Sequence, residues 1–329
     1  MHPELFKIPL TPLTIKSYGL MMVVGFLGAV MVIRYLSRHF TRDPQLITNA
    51  ALYALIAGVV GARAFFVLHY FDRYSADPRS VFAIWNGGLE VIGGVMLAIA
   101  VILLYGRYHK LPTRHYLDVL AVGLVVALTF GRVGCFLNGC CYGRPTDLPW
   151  GIRFPYGSFS YNSQIKPDPS RHRLEPYFTV PEEYSGYTTE SGEITSELKP
   201  MKYLTPEQRE LVTKGLYRAR PVHPTQLYSS VAAGLLGLIL YGFLRRSQRA
   251  EAAGRCRLLT KPGSIFSLMF ILYAIKRFSV EMIRDDNPLE MAGLTISQLL
   301  CFVLAALGIA LAIYFSLSKP EKLPSSKSK

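Results

Sequence analysis

Acidic residues are the scarce charge in this 329-residue chain: 22 Asp and Glu stand against 36 Lys and Arg, for a net charge of +14. Such a surplus suits a nucleic-acid partner, but the basic residues form no single patch. They lie between long apolar blocks, and that placement excludes nucleic acid as the ligand. Amphipathic stripes are also missing. The blocks are apolar all round, which excludes a soluble bundle with one helix face in water. No small-residue cleavage signal follows the first block, which ends Met31-Val32-Ile33-Arg34. It therefore reads as a retained span and not a signal peptide. Neither a glycine loop of the P-loop kind nor an internal repeat is present.

What is there is hydrophobic length. Half of the residues are apolar, and they gather into blocks of about 20, enough to cross roughly 30 Å of hydrocarbon at 1.5 Å per residue. Seven such blocks predict spans at 18–35, 47–70, 88–105, 117–137, 223–244, 265–283 and 294–317. The expected fold is an all-α integral membrane protein of seven transmembrane helices. Arg34, Arg38 and Arg42 follow the first span, and Arg107, Lys110 and Arg114 the third. Arg245, Arg246, Arg249, Arg255, Arg257 and Lys261 follow the fifth; Lys319, Lys322, Lys327 and Lys329 follow the seventh. Basic loops alternate with less basic ones, so the N-terminus is expected outside and the C-terminus in the cytoplasm.

Four regions follow: spans one to four over 1–137, an outer insertion over 138–222, spans five to seven over 223–317, and a cytoplasmic tail over 318–329. The insertion is expected to hold short strands around Tyr156–Tyr161 and a helix near Pro206–Tyr217. The Ser- and Lys-rich tail is expected to be disordered.

Ionisable groups inside spans are costly and mark function by default. Arg63 lies roughly 10 Å below the outer end of span two by helix rise. Arg132 sits near the outer end of span four, and His223 opens span five. Tyr273, Arg277, Glu281 and Arg284 recur at i, i+4, i+8 and i+11, which places them on one helix stripe. Tyr18 begins span one, and the pairs Gly87-Gly88 and Gly93-Gly94 flank the outer start of span three. All these groups fall in the outer half. A transporter would place polar groups near the midplane; a cluster at one depth, rich in arginine, suits an anionic lipid headgroup, because the planar guanidinium binds phosphate oxygens bidentately. Simpler roles stand beside these. Arg284 and Arg34 can snorkel to the interface, Glu281 can be the ion-pair partner of Arg277, and the glycine pairs can serve helix packing or let a non-helical stretch line a pocket. Cys135, Cys140 and Cys141 cluster at the outer end of span four, where small-residue packing is the simplest role. A thiolate metal site wants a fourth ligand, for which only His223 offers itself, and a disulfide fits the oxidising side. Cys256 and Cys301 carry no pattern.

The run Gly131-Arg132-Val133-Gly134-Cys135-Phe136-Leu137-Asn138-Gly139-Cys140-Cys141-Tyr142-Gly143 resembles the signature of the prolipoprotein diacylglyceryl transferases. Gly131, Arg132, Gly134, Phe136, Asn138 and Gly143 match. Tyr18-Gly19-Leu20, Gly61-Ala62-Arg63, His223-Pro224-Thr225-Gln226-Leu227-Tyr228, and Tyr273 with the run from Arg277 to Arg284 are similar to further motifs, in order. The resemblance covers nearly the whole chain apart from the outer insertion. The chain departs at Cys135 and Cys140, where the signature has Asn and Glu, and at Ile92, where the family has His or Tyr. These departures leave open a divergent paralogue, acting as a membrane lipid- or anion-binding or transport protein, or a thiol-redox protein using the three cysteines.

The resemblance implies transfer of the diacylglyceryl group of phosphatidylglycerol to the lipobox cysteine of a prolipoprotein, with release of glycerol-1-phosphate. It implies a bacterial inner-membrane location with the active site facing the outer leaflet. The catalytic residues would be Arg132, Arg277, His223 and Glu281; Tyr18, Arg63, Gly88, Gly93, Asn138, Gly143, Tyr273 and Arg284 would bind substrate. No metal or other cofactor is expected. The expected partners are phosphatidylglycerol, the signal-peptide segment of the prolipoprotein and membrane lipids.

Overall fold

The computed structural model describes residues 4–7, 14–38, 41, 43–71, 74, 80–81, 88, 90–188, 194–255 and 260–318. Arg42, the run Trp85-Asn86-Gly87, Cys256, Arg257 and the tail beyond Ser318 lie outside them. Among the described residues seven long helices fall on the seven apolar blocks: α1 (Ser17–Ser37), α2 (Pro44–His69), α3 (Val91–Tyr108), α4 (Thr113–Asn138), α7 (Thr225–Ala252), α8 (Ser264–Glu281) and α9 (Ile296–Leu317). Two short helices, α5 (Phe159–Gln164) and α6 (Pro206–Thr213), lie between α4 and α7. Antiparallel pairs β1 (Glu4–Lys7) with β2 (Thr14–Lys16), and β3 (Ser185–Thr188) with β4 (Ile194–Leu198), and short 3-10 turns such as Glu182–Tyr184 and Met291–Gly293, accompany them.

Five helices, α1, α2, α4, α7 and α9, are long and apolar enough to cross a membrane. The apolar run of α3, Ile92–Tyr108, is shorter, and α8 carries Lys276, Arg277 and Glu281 within its 18 residues. Large apolar side chains such as Met31, Leu68, Leu104, Leu238 and Val303 stand exposed along these helices. Such a belt faces lipid in a protein whose backbone polar groups are satisfied within helices. The chain is a multi-pass membrane protein.

The termini carry local stop and start signals. Asp43 accepts a hydrogen bond from the Gln45 N–H, with Pro44 in the first turn of α2. Thr295 and Gln298 form a reciprocal capping box on α9. Helix α4 ends at Gly139 in a left-handed turn (φ +78°) that turns the chain back toward Cys135.

The apolar core gathers at one end of the bundle. Ile33 and Leu36 from the end of α1, Ile47 and Ala50 from the start of α2, Val119, Val122 and Val125 from α4, Leu236, Leu240 and Leu244 from α7, and Ile265 and Met269 from α8 pack together. Asp118 is buried there, accepting the N–H groups of Gly263 (2.7 Å) and Phe266 (2.9 Å), and so caps the start of α8. Helices α2 and α3 form a hairpin held by glycines: a Cβ at Gly93 would fall 2.2 Å from the Phe65 Cβ and 2.6 Å from the Gly61 carbonyl. That close approach lets the two helices pack backbone to backbone at Gly93.

The strands expected around Tyr156–Tyr161 are not formed. The Ser158 hydroxyl accepts the Tyr161 N–H (3.2 Å) and starts α5 instead. Tyr161 is fully buried, its hydroxyl donating to the Tyr217 carbonyl at 2.8 Å, so burial of one aromatic side chain decides the local structure. The expected helix is present as α6, with a Thr205/Gln208 capping box.

Candidate functional site

The opposite end of the bundle is polar. The chain leaving α4 runs as an extended segment between two others. Gly143 N–H donates to the His223 carbonyl (3.0 Å) and His223 N–H to the Arg144 carbonyl (3.0 Å). On the other side Arg144 N–H donates to Ile283 (2.9 Å) and Asp285 N–H to Tyr142 (3.1 Å). These backbone hydrogen bonds tie the tips of α4, α7 and α8. Gly143 is obligatory in this arrangement, since a Cβ there would lie 2.7 Å from the His223 Cβ and 2.8 Å from its carbonyl oxygen.

Glu281 is the hub on α8. It is 2% exposed, accepts hydrogen bonds from three donors, Arg284 Nη1 at 3.3 Å, Thr295 Oγ1 at 3.1 Å and the Asn287 side-chain amide, and forms an ion pair with Arg277 Nη1 at 2.9 Å. These contacts engage both carboxylate oxygens, and the ion pair holds the Arg277 guanidinium beside them. The other arm of Arg277 donates to Ser297 Oγ (2.9 Å). Arg284 is committed as well, with both arms on Asp286 at 2.8 Å. The insertion locks the same loop: Arg171 donates to the Arg284 carbonyl (2.7 Å), and Arg173 meets Asp285 at 3.3 Å. Burial pushes the Asp285 carboxyl up, against the pull of Arg173 and Arg171.

Arg132, on the last two turns of α4, stands close enough to Lys276 and Arg277 to act on their charge. Lys276 Nζ donates to Ser229 Oγ (3.1 Å) and lies 5.2 Å from the Tyr273 ring centre. The sequence reading passed over Lys276, although an ionisable residue inside an apolar block was the signal that found Arg277 one position later; it passed over buried Asp118 for the same lack of a motif. Tyr18 lies against Gly134 and within the field of Arg132 and the three cysteines. His223 stands two residues before α7, its Nδ1 3.3 Å from the Tyr228 hydroxyl, which accepts from Trp150 (2.7 Å). Asn138 lines a cleft of about 310 Å³ with Leu137, Tyr156 and Phe159.

Arg63 and Gly88 contact each other. The Arg63 guanidinium donates to the carbonyls of Val81 (2.7 Å), Gly88 (2.9 Å) and Ser80 (2.7 Å), and so holds the chain between α2 and α3. Gly88 (φ +77°) has no room for a Cβ, which would meet the Phe66 ring at 2.5 Å. Ile92, 61% exposed at the start of α3, offers no polar atom.

Cys135, Cys140 and Cys141 come together, their Sγ atoms within 4.8 Å of one another. Gln226 Nε2 and Thr225 Oγ1 pin the carbonyls of Cys140 and Cys141, each at 2.6 Å. Cys141 is held in the left-handed region (φ +61°), which costs a non-glycine residue about 1 kcal/mol or more. Hydrogen bonds from the thiols of Cys135 and then Cys141 hold the Cys140 thiol far below its ordinary range.

A family model described as prolipoprotein diacylglyceryl transferase matches residues 3–314. The chain belongs to that family. Among its relatives, a phosphatidylglycerol–prolipoprotein diacylglyceryl transferase of Chloroflexus aggregans is 30% identical, the match covering 84% of this chain and 74% of the relative. Proteins of the same name from Corynebacterium efficiens (27% identical, 96% of this chain, 81% of the relative) and Nostoc sp. (25%, 97% and 93%) are similar over nearly the full length.

Proposed function

We propose that this chain transfers the diacylglyceryl group of phosphatidylglycerol to the lipobox cysteine of prolipoproteins, forming a thioether and releasing glycerol-1-phosphate. The observation that carries the reading is Arg277 on α8, held at 2.9 Å by buried Glu281, next to Lys276 and within the electrostatic reach of Arg132 on α4. In this reading the chain spans the bacterial inner membrane seven times, N-terminus outside and C-terminus in the cytoplasm, which the alternation of basic loops supports. The insertion then covers the outer face, and the lipid enters sideways from the outer leaflet with its phosphate among the cations.

The acceptor thiolate attacks the glyceryl carbon that bears the phosphate ester, and charge builds on the departing phosphate. Arg132 and Arg277 are positioned to take that charge in a site of low dielectric, where preorganised donors are most effective. Glu281 acts as a positioning residue, while His223, two residues before α7, offers an imidazole nitrogen as a proton acceptor. Tyr18, Asn138, Tyr273 and Gly143 shape the pocket, Arg284 fixes its floor, and Arg63 with Gly88 and Gly93 fixes the α2–α3 hairpin beside it. Complementation of a strain depleted of its own transferase tests the reading. Growth and mature lipoproteins are the expected result; stable, inserted protein with unmodified prolipoproteins would favour a lipid-binding role without catalysis.

A further inference from the structure

We propose that Cys135, Cys140 and Cys141 bind one thiophilic divalent ion of the zinc class, and that this ion presents the acceptor thiol to the lipid as a thiolate. The inference rests on the transferase reading for its second half only. Three sulfur atoms lie within 4.8 Å of one another, and at a Zn–S distance of about 2.3 Å tetrahedral thiolates stand roughly 3.8 Å apart. The backbone is already built for it: Gly139 turns the chain back, the Cys140 N–H donates to the Cys135 carbonyl at 3.2 Å, and buried Thr225 and Gln226 hold the two carbonyls. A packing role needs neither three converging thiols nor a left-handed Cys141.

Charge and chemistry fit the ion. Three thiolates and a divalent cation leave one net negative charge, beside Arg284, which feels Cys141, and near Arg132. Three protein ligands are what a catalytic zinc site uses, the fourth position going to water or substrate. The site also needs a way to make thiolate, because its carboxylates are committed: Glu281 to Arg277, Arg284, Asn287 and Thr295, Asp286 to Arg284 and Asp285 to Arg171 and Arg173. A coordinating thiol is deprotonated outright. The acceptor thiol would replace water on the ion and lose its proton through His223 to solvent. Its sulfur then forms the C–S bond as the C–O bond to phosphate breaks, and glycerol-1-phosphate departs with the bonding pair. The neutral thioether is a poorer ligand and leaves.

The test uses the full-length protein in detergent under reducing conditions. Titration with Co²⁺ should raise a thiolate charge-transfer absorption that saturates at one equivalent and is displaced by Zn²⁺. Cys135→Ser, Cys140→Ser and Cys141→Ser should each abolish it. In the unaltered protein, which avoids any folding defect of the variants, Zn²⁺ should protect these three cysteines from alkylation. Absence of the absorption, or a disulfide joining two of the three, would overturn the site. Transfer to a lipobox peptide should fall at least about tenfold on chelation near pH 7, and less near pH 9, where free thiolate is abundant given a thiol pKa of about 8.5. Equal transfer with and without bound ion would overturn the delivery role and leave the transferase reading standing. Ion binding without transfer at any pH would contradict the transferase reading instead, and the delivery role with it.

Discussion

Arg277 and Glu281 lie one helical turn apart on α8, with the guanidinium Nη1 2.9 Å from a carboxylate that is almost fully buried. This pair fixes one of the two cations assigned to the departing phosphate, and it makes the geometry of the guanidinium, not its charge alone, the property to test. Arg277→Lys and Arg132→Lys keep the charge and lose the planar fork. Each is expected to depress transfer by about 100-fold or more while the protein remains inserted. Near-normal turnover in either variant would make that arginine structural.

Glu281→Gln should act through the same pair. It leaves Arg277 and Arg284 buried without their shared countercharge, and loss of one partner of a buried pair costs about 3–5 kcal/mol. A clear drop in thermal stability in detergent is expected, with slower transfer. An unchanged melting transition would show that Asp286 and Ser297 alone hold the arginines.

Gly143→Ala forces a Cβ to within 2.7 Å of the His223 Cβ and 2.8 Å of its carbonyl oxygen, so the tie between the ends of α4 and α7 has to open. Strong loss of both expression and transfer is expected. Gly242→Ala is the control, as nothing lies within 4 Å of a Cβ there. Equal tolerance of the two would contradict the placement of the 140–146 segment.

Orientation is tested by labelling intact spheroplasts with a membrane-impermeant thiol reagent. Cysteine at Ser185→Cys should react and Cys256 should not, from the alternation of basic loops. Reaction at Cys256 would invert the topology and remove the outer-leaflet argument.

The long helices were legible because apolar length is a local signal, whereas the caps at Asp43 and Thr295 emerge only in the structure. Arg132, Arg277 and Glu281 were legible because an ionisable residue in an apolar block is costly. What those residues touch was not. Glu281 draws on Asn287 and Thr295 from beyond its own helix, and Arg63 draws on Ser80, Val81 and Gly88, contacts no periodicity encodes. Tyr156–Tyr161 read as strand from composition, yet Ser158 and the buried Tyr161 make α5. The convergence of three thiols likewise depends on the left-handed turns at Gly139 and Cys141.

The most direct measurement is reconstitution with defined substrates. Purified protein is mixed with phosphatidylglycerol and a lipobox peptide, and peptide mass and released glycerol-1-phosphate are followed together. The account requires the peptide to gain one diacylglyceryl group at its cysteine for each glycerol-1-phosphate released, and to gain none when that cysteine is replaced by serine. Folded protein that binds phosphatidylglycerol yet yields neither product, with the proposed metal supplied, would contradict it.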